Sequence, residues 1–514
     1  MKKLGLMFVL TVFLFSAEQD EIPLLKWAGP PGSRPESYEE WIAQHPYTDF
    51  SCILNRTIHS DGRAGTIAIF TEQNIASALT NEIDQLATNL QSEGYDVLSY
   101  QTSGGNPDTF RQFIKDLYDT NNINNIEGVL LVGDIPAAWF EIADDFNQYG
   151  YADFPCDLFY MDLDGTWLDT MNTGNGKYDG HTGTIEPEIY VGRLVPSGIG
   201  DDTLLLENYF RKNNAYRHDT LLLTQRALVF VDDDWEYWGP GWTYDISLLY
   251  PDTMNYWDPE TTRASVYRTK LDTTQAWVSV FAHSWPGGHQ FTYNSGSNHD
   301  NYYSYEYINQ DPPTNFYNFF ACSFSRYTTA GNCGGSRAIF NQNYGLGSIG
   351  STKTGSMLDF YYFYQPLGQN KTLGEAFKDW FTHITNYGVT FDELCWHYGM
   401  VLLADPFLKP TGHNMWIAET ESNTIPNSML TISGNPGLTH INLHMFLEQS
   451  ADVQIDLYNC AGRKVNNIKR EFKAGNNKIK LQLNNKTGEN LPKGVYILRV
   501  NINKKIITKK IIKI

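Results

Sequence analysis

Apolar residues follow two alternating periods between residues 66 and 404. Ile67–Phe70 is a short continuous apolar run, after which Ile75, Leu79, Ile83, Leu86 and Leu90 recur at helical spacing until Gly94 stops them. Tyr95–Tyr100 alternates as a strand, Phe110, Phe113, Ile114 and Leu117 mark a second helix opened by Pro107-Asp108, and Gly128–Val132 is apolar up to Gly133-Asp134. Strand, helix, strand, helix, strand with short connections predicts a mostly parallel sheet, flanked by helices, with right-handed crossovers. The rhythm resumes with apolar runs at Ala227–Val231, Trp277–Ala282, Phe316–Ala321 and Leu346–Gly350. Thr372-Leu373-Gly374-Glu375 is a capping box opening a helix that buries Phe377, Trp380, Phe381 and Ile384. Ala404-Asp405-Pro406 closes the region.

The ends of the chain read differently. Lys2-Lys3, the apolar run Leu4–Phe15 and Ser16-Ala17 form a secretory signal peptide over 1–17, too short and wrongly flanked for a membrane span. Residues 18–64 are weakly patterned, a short pro-segment or an arm packed on the main domain. That α/β domain is expected over 65–410, in halves of about 65–215 and 216–410. A polar linker over 411–425 leads to a purely β pattern over 426–514. There Val453, Ile455 and Leu457, then Ile479, Leu481 and Leu483, then Val495–Val500 alternate between turn residues. Short strands at that spacing predict a small all-β sandwich.

Charge separates the same two regions. From Pro426 onward Lys and Arg outnumber Asp and Glu 15 to 5, which leaves the preceding body with a net charge of −30. Such a body excludes nucleic acid and anionic membrane as its partners. The six cysteines, Cys52, Cys156, Cys322, Cys333, Cys395 and Cys460, show no CxxC pair, so a structural zinc site is not expected.

Two of the apolar runs end in chemistry. One delivers His283, followed by Ser284-Trp285-Pro286-Gly287-Gly288; the other delivers Cys322. In an open α/β sheet, ligands bind at the carboxyl edge of the strands, where both residues should lie. Alone, Cys322 reads as one more buried core cysteine; the matching strand that ends in His283 makes a thiolate–imidazole pair the better reading. At the exposed end of a strand, such pairing should lower the thiol pKa and make Cys322 the most reactive cysteine. A Cys322–Cys333 bridge would silence it. His289 lies past Gly287-Gly288 and is a weaker candidate, and His397 reads as a packed histidine on an aromatic helix. Between Cys156 and Arg193, oxygen-bearing residues including Asp162, Asp164, Asp169 and Asp179 are separated by glycines, as in a calcium loop or a series of Asx turns.

Five ordered motifs then carry a resemblance: G-V-L-L-V-G-D (Gly128–Asp134), P-E-I-Y-V-G-R (Pro187–Arg193), V-F-A-H-S (Val280–Ser284), F-F-A-C-S (Phe319–Ser323) and L-A-D-P-F-L (Leu403–Leu408). Over roughly residues 60 to 410 the chain resembles gingipain-type cysteine peptidases, which have a caspase-like fold. The resemblance implies a His283/Cys322 dyad, with backbone N–H groups at Ser284 and Cys322 as the oxyanion donors. The family usually has glycine where Ser284 stands. Its third group, an acid orienting the histidine, would be Glu188 or one of Asp233 and Asp234. The last 90 or so residues look like the C-terminal sorting domain of type IX secretion in Bacteroidetes-type bacteria. Together these imply a cysteine endopeptidase exported through the periplasm to the cell surface or beyond, acting on proteins or peptides and handled by the type IX machinery. The chemistry requires no cofactor, and calcium would be structural. The competing reading is a catalytically silent surface protein that binds through exposed Tyr and Trp on the same fold.

Overall fold

The computed structural model describes residues 22–60, 65–120, 126–196, 198–294, 296–329, 331, 333–386, 388–412, 430–433, 439–447, 450–459, 464–484, 490–502 and 505–513. The signal peptide over 1–17, nearly all of the linker and Cys460 lie outside them. The chain divides into two compact units between His413 and Asn414.

The first unit is built on two sheets. In one, Ser51–Ile58, Tyr95–Ser103, Gly65–Glu72, Ile126–Val132 and Tyr190–Leu194 lie side by side in that order. Ser51–Ile58 is antiparallel to its neighbour and the rest are parallel. In the other the order is Thr253–Tyr256, Ala227–Val231, Trp277–Phe281, Phe316–Phe320, Gly347–Ser351 and Met400–Ala404, and only the last is antiparallel. Its three strands Ala227–Val231, Trp277–Phe281 and Phe316–Phe320 are buried at every residue. Strands covered on both faces need apolar side chains on both, so they read as continuous runs rather than alternations.

The helices follow the sequence with one break. The expected run from Ile75 to Leu90 divides at Leu79 into Gln73–Ala78 and Thr80–Ser92, with Leu79 at φ −115° and ψ 35°, outside helical geometry. Thr372 caps Leu373–Thr385 together with Glu375, and Phe377, Trp380, Phe381 and Ile384 are buried as the spacing requires.

The second unit is all antiparallel β. One sheet orders Leu430–Ser433, His440–Leu447 and Gly475–Gln482; the other orders Lys464–Phe472, Ala451–Asn459, Gly494–Ile502 and Lys505–Lys513. Val453, Ile455 and Leu457 meet Ile441, Leu443, Ile479, Leu481, Leu498 and Val500 in one core.

Candidate active site

Register decides what meets at the edge of the second sheet. Val231 pairs with Phe281, and Phe281 with Phe320, so three adjacent strands end level with one another. Adjacent strands run about 4.8 Å apart. Two residues past Phe281 comes His283, two past Phe320 comes Cys322, and three past Val231 comes Asp234. The carboxyl edge thus gathers an acid, an imidazole and a thiol from neighbouring strands.

Asp234 Oδ2 lies 2.6 Å from His283 Nε2. The hydrogen bond from His283 holds the Asp234 carboxyl below its ordinary value, against the opposing effect of burial. Asp234, rather than Asp233 or Glu188, therefore reaches the histidine. Its neighbours brace the loop: Asp232 accepts from Thr292 N–H at 2.5 Å and from the Asp234 N–H at 3.2 Å, while Asp233 accepts from Gly296 N–H at 2.9 Å. The Trp235 ring stands 4.7 Å from the imidazole and 5.3 Å from Phe320.

The second imidazole nitrogen is also engaged. Lys26 N–H donates to His283 Nδ1 at 3.1 Å, so Nδ1 carries the lone pair and Nε2 the proton directed at Asp234. Lys26 belongs to a stretch, residues 22–28, laid across the edge. Trp235 Nε1–H donates to Pro23 O at 2.7 Å, the Tyr149 hydroxyl to Leu25 O at 3.0 Å, and Ala28 N–H to Ser284 O at 3.1 Å. Trp27 bridges Ser284 in parallel orientation. This part of residues 18–64 packs on the main domain, and it packs on the histidine.

Cys322 is a free thiol, as is Cys333. It is fully buried, and burial pushes its thiol up to about 12, partly offset by hydrogen bonding to Thr354. This corrects the expectation of an exposed thiol with a lowered pKa. The physical reason is full burial of the strand end, and the imidazole nitrogen open to a thiol, Nδ1, accepts from Lys26 N–H instead. Ser323, next in sequence, takes φ +52°, a left-handed conformation uncommon for a residue with a Cβ, and donates its N–H to Lys353 O at 2.9 Å.

Ser284 is buried between the hairpin and the arm, with its hydroxyl 2.8 Å from His289 Nδ1. His289 Nε2 lies 3.1 Å from the Tyr307 hydroxyl, and burial lowers its pKa to about 3, so it is a neutral, packed ring. His397 is packed likewise, with Nδ1 3.0 Å from Ser356 O.

The structure places Glu188 elsewhere, accepting from Leu163 N–H at 2.6 Å, in a group with Asp162 and Asp164 whose ligand atoms lie within 4.8 Å of one another. The four expected calcium ligands therefore do not assemble as a set. Asp162 Oδ1 accepts from the Asp164 and Gly165 N–H groups at 3.1 and 2.6 Å, and its Oδ2 meets His181 Nε2. Asp169 and Asp179 instead tie down turn backbone, at Gly174 N–H (2.6 Å) and Thr170 N–H (2.8 Å) respectively. Sequence reasoning missed Tyr149 and His181, single polar residues with no repeat or motif to mark them.

Comparison with known proteins defines the class. Peptidase family C25 matches residues 59–411, and the secretion system C-terminal sorting domain matches residues 433–514. The chain belongs to peptidase family C25 and is a cysteine peptidase, carrying a tail that directs type IX secretion to the cell surface or exterior. It is similar to the Arg-specific cysteine proteinase gingipain R (RgpB), with 14% identity over 89% of this chain and 100% of that one and a TM-score of 0.46. The complex of Porphyromonas gingivalis RgpB pro- and mature domains gives 14% identity over 88% and 100%, again at 0.46. Dimeric latent PorU from the same organism matches 16% of this chain and 9% of its own, at 23% identity and a TM-score of 0.15. No curated protein matches the chain. Among the described residues, no helix is long and apolar enough to cross a membrane.

Proposed function

We propose that the chain is a secreted cysteine endopeptidase in which His283 and Cys322 form the catalytic pair and Asp234 orients the histidine. The observation that carries this reading is the level ending of three neighbouring strands, which supplies Asp234, His283 and Cys322 to one edge with Asp234 already 2.6 Å from the imidazole. Asp234 fixes the tautomer, leaving Nδ1 free to take the thiol proton once the arm is displaced. The thiolate then attacks the peptide carbonyl carbon, with backbone N–H groups at Ser284 and Cys322 serving the oxyanion. The C–N bond breaks as His283 returns the proton to the leaving amine, and water hydrolyses the thioester. Chain continues on both sides of Lys26 across the strand edge, which supports cleavage within a chain rather than at its end. The silent-binder alternative drew on a Cys322–Cys333 bridge, and two free thiols favour the enzyme instead.

The test is hydrolysis of a mixed peptide library with the arm displaced. Cys322→Ala should lower kcat/KM by about 10⁴-fold or more, and the double variant with His283→Ala should lose little further, because residues acting as one unit are not additive. Cys333→Ala should retain activity. Full turnover by Cys322→Ala would overturn the mechanism.

A further inference from the structure

We propose that the site selects a large apolar side chain immediately before the cut bond, and that the chain presents its own Leu25–Lys26 bond there as an internal substrate. The inference rests on the peptidase reading and names its substrate class.

The Leu25–Lys26 peptide bond is held from both sides. On its nitrogen, the Lys26 N–H meets His283 Nδ1 at 3.1 Å, and a histidine that must protonate a leaving amine has to stand beside that nitrogen. On its oxygen, the Tyr149 hydroxyl donates at 3.0 Å, which fixes the direction of the carbonyl. Tyr149 also lies within electrostatic range of Cys322. Pro23 and Ala28 are anchored on either side, by Trp235 and by Ser284, so the bond is fixed in register rather than merely near the site.

The side chains give the specificity. Leu25 is fully buried in the apolar cluster that also contains Cys322, whereas Lys26 points to solvent. Aromatic contacts form a continuous wall from the carbonyl side to the imidazole side: Tyr149 to Phe146 at 6.1 Å, Phe146 to Trp396 at 5.2 Å, Trp396 to Phe320 at 6.0 Å and Phe320 to Trp235 at 5.3 Å. Asp145, the buried carboxylate beside this wall, is ion-paired with Lys353 at 2.9 Å, so its charge is already matched. Leu25 is fully buried, so Arg, Lys or Asp in its place would bury a charge, which is strongly disfavoured where Asp145 is already paired.

Cleavage here would run through the same steps. Cys322 Sγ bonds to the Leu25 carbonyl carbon, and its proton passes through His283 to the Lys26 nitrogen as the C–N bond breaks. Water then releases Leu25 as a carboxylate and restores the thiol. In the present arrangement Nδ1 accepts from Lys26 rather than from the thiol, so the bond is presented and the nucleophile is idle.

The test uses the full chain and a quenched fluorescent peptide of sequence Ile-Pro-Leu-Leu-Lys-Trp-Ala, with versions carrying Arg, Lys or Asp in place of the second Leu. The Leu peptide should be cut between Leu and Lys at least about tenfold faster than the others, since a buried unmatched charge is strongly disfavoured. Leu25→Asp should raise turnover of the Leu peptide by loosening the arm. Ala28→Pro, which removes the N–H donated to Ser284, should do the same if Leu25→Asp fails to fold. Cys322-dependent hydrolysis that favours Arg, Lys or Asp, or cuts at another bond, would overturn the specificity while leaving the peptidase reading intact. Absence of Cys322-dependent hydrolysis in every variant would sink both.

Discussion

Among the described residues of the first unit, two of the aspartate–histidine pairs each lie inside a group of three carboxylates: Asp162 with His181 beside Asp164 and Glu188, and Asp234 with His283 beside Asp232 and Asp233. Their local chemistry is nearly the same, but what lies on the other ring nitrogen differs. His181 Nδ1 is 2.8 Å from the Tyr398 hydroxyl, and the ring stacks on Trp167 at 3.9 Å. Both of its nitrogens are closed by side chains of the folded core. His283 Nδ1 faces a backbone N–H from an arm that crosses the sheet edge, a partner that can leave without unfolding the sheet. An acid on one nitrogen sets a tautomer in either case; only a replaceable partner on the other makes the ring available for proton transfer.

The largest expected effect separates the two rings. His283→Ala should lower kcat/KM by about 10⁴-fold, whereas His181→Ala should leave kcat within about threefold and act through a melting temperature lowered by several degrees. Similar kinetic losses in both would erase the distinction. Next in size, Asp234→Asn should reduce kcat by about a hundredfold or more, because the amide can favour the wrong tautomer, and Asp162→Asn should act on stability instead.

Acid titration sharpens the contrast through opposite signs. Asp234 is held below its ordinary value by the His283 hydrogen bond, so its contribution is present above about pH 4 and is lost as pH falls through the depressed value. The melting-temperature gap between the parent chain and Asp234→Asn should therefore be open at pH 6 and close in stronger acid. Glu188 is raised by burial, so its charged form costs stability above its ordinary value. Glu188→Gln should be neutral or slightly stabilising at pH 7, with the gain vanishing near pH 4, where a persistent gain would contradict the burial argument. The smallest effect is that of calcium. Asp162 already spends both oxygens on His181 and backbone N–H groups, so calcium against chelator should shift the melting temperature by no more than about 2 °C. A larger shift would mean that the acidic group rearranges around an ion.

Much of this was legible in the chain because burial writes itself into pattern. Ala227–Val231, Trp277–Phe281 and Phe316–Phe320 are continuous apolar runs since both faces are covered, and their ends point to His283 and Cys322 on pattern alone. The choice between Glu188 and Asp234 was not legible, because both are acids just outside buried strands and only register shows which strand neighbours that of the histidine. The expected calcium set divides for a related reason: Asp162 and Asp164 group with Glu188, while Asp169 and Asp179 bond to turn backbone close by in sequence, which the same spacing permits. The place of the arm was not legible, because Pro23-Leu24-Leu25 is too short for any period and its anchoring hydrogen bonds run through its backbone groups, which leave no mark on residue type. The burial that raises the Cys322 thiol was not legible either, because the end of a strand reads as exposed.

Burial of Cys322 bears on the journey the sorting tail prescribes. The periplasm is oxidising, and a thiolate exposed there is open to sulfenic acid and mixed disulfides. Oxidation proceeds through the thiolate and requires access, and a covered thiol pushed up to about 12 offers neither. The burial that keeps the Cys322 thiol protonated thus also serves as a redox shield for the sulfur on its way to the cell surface or exterior.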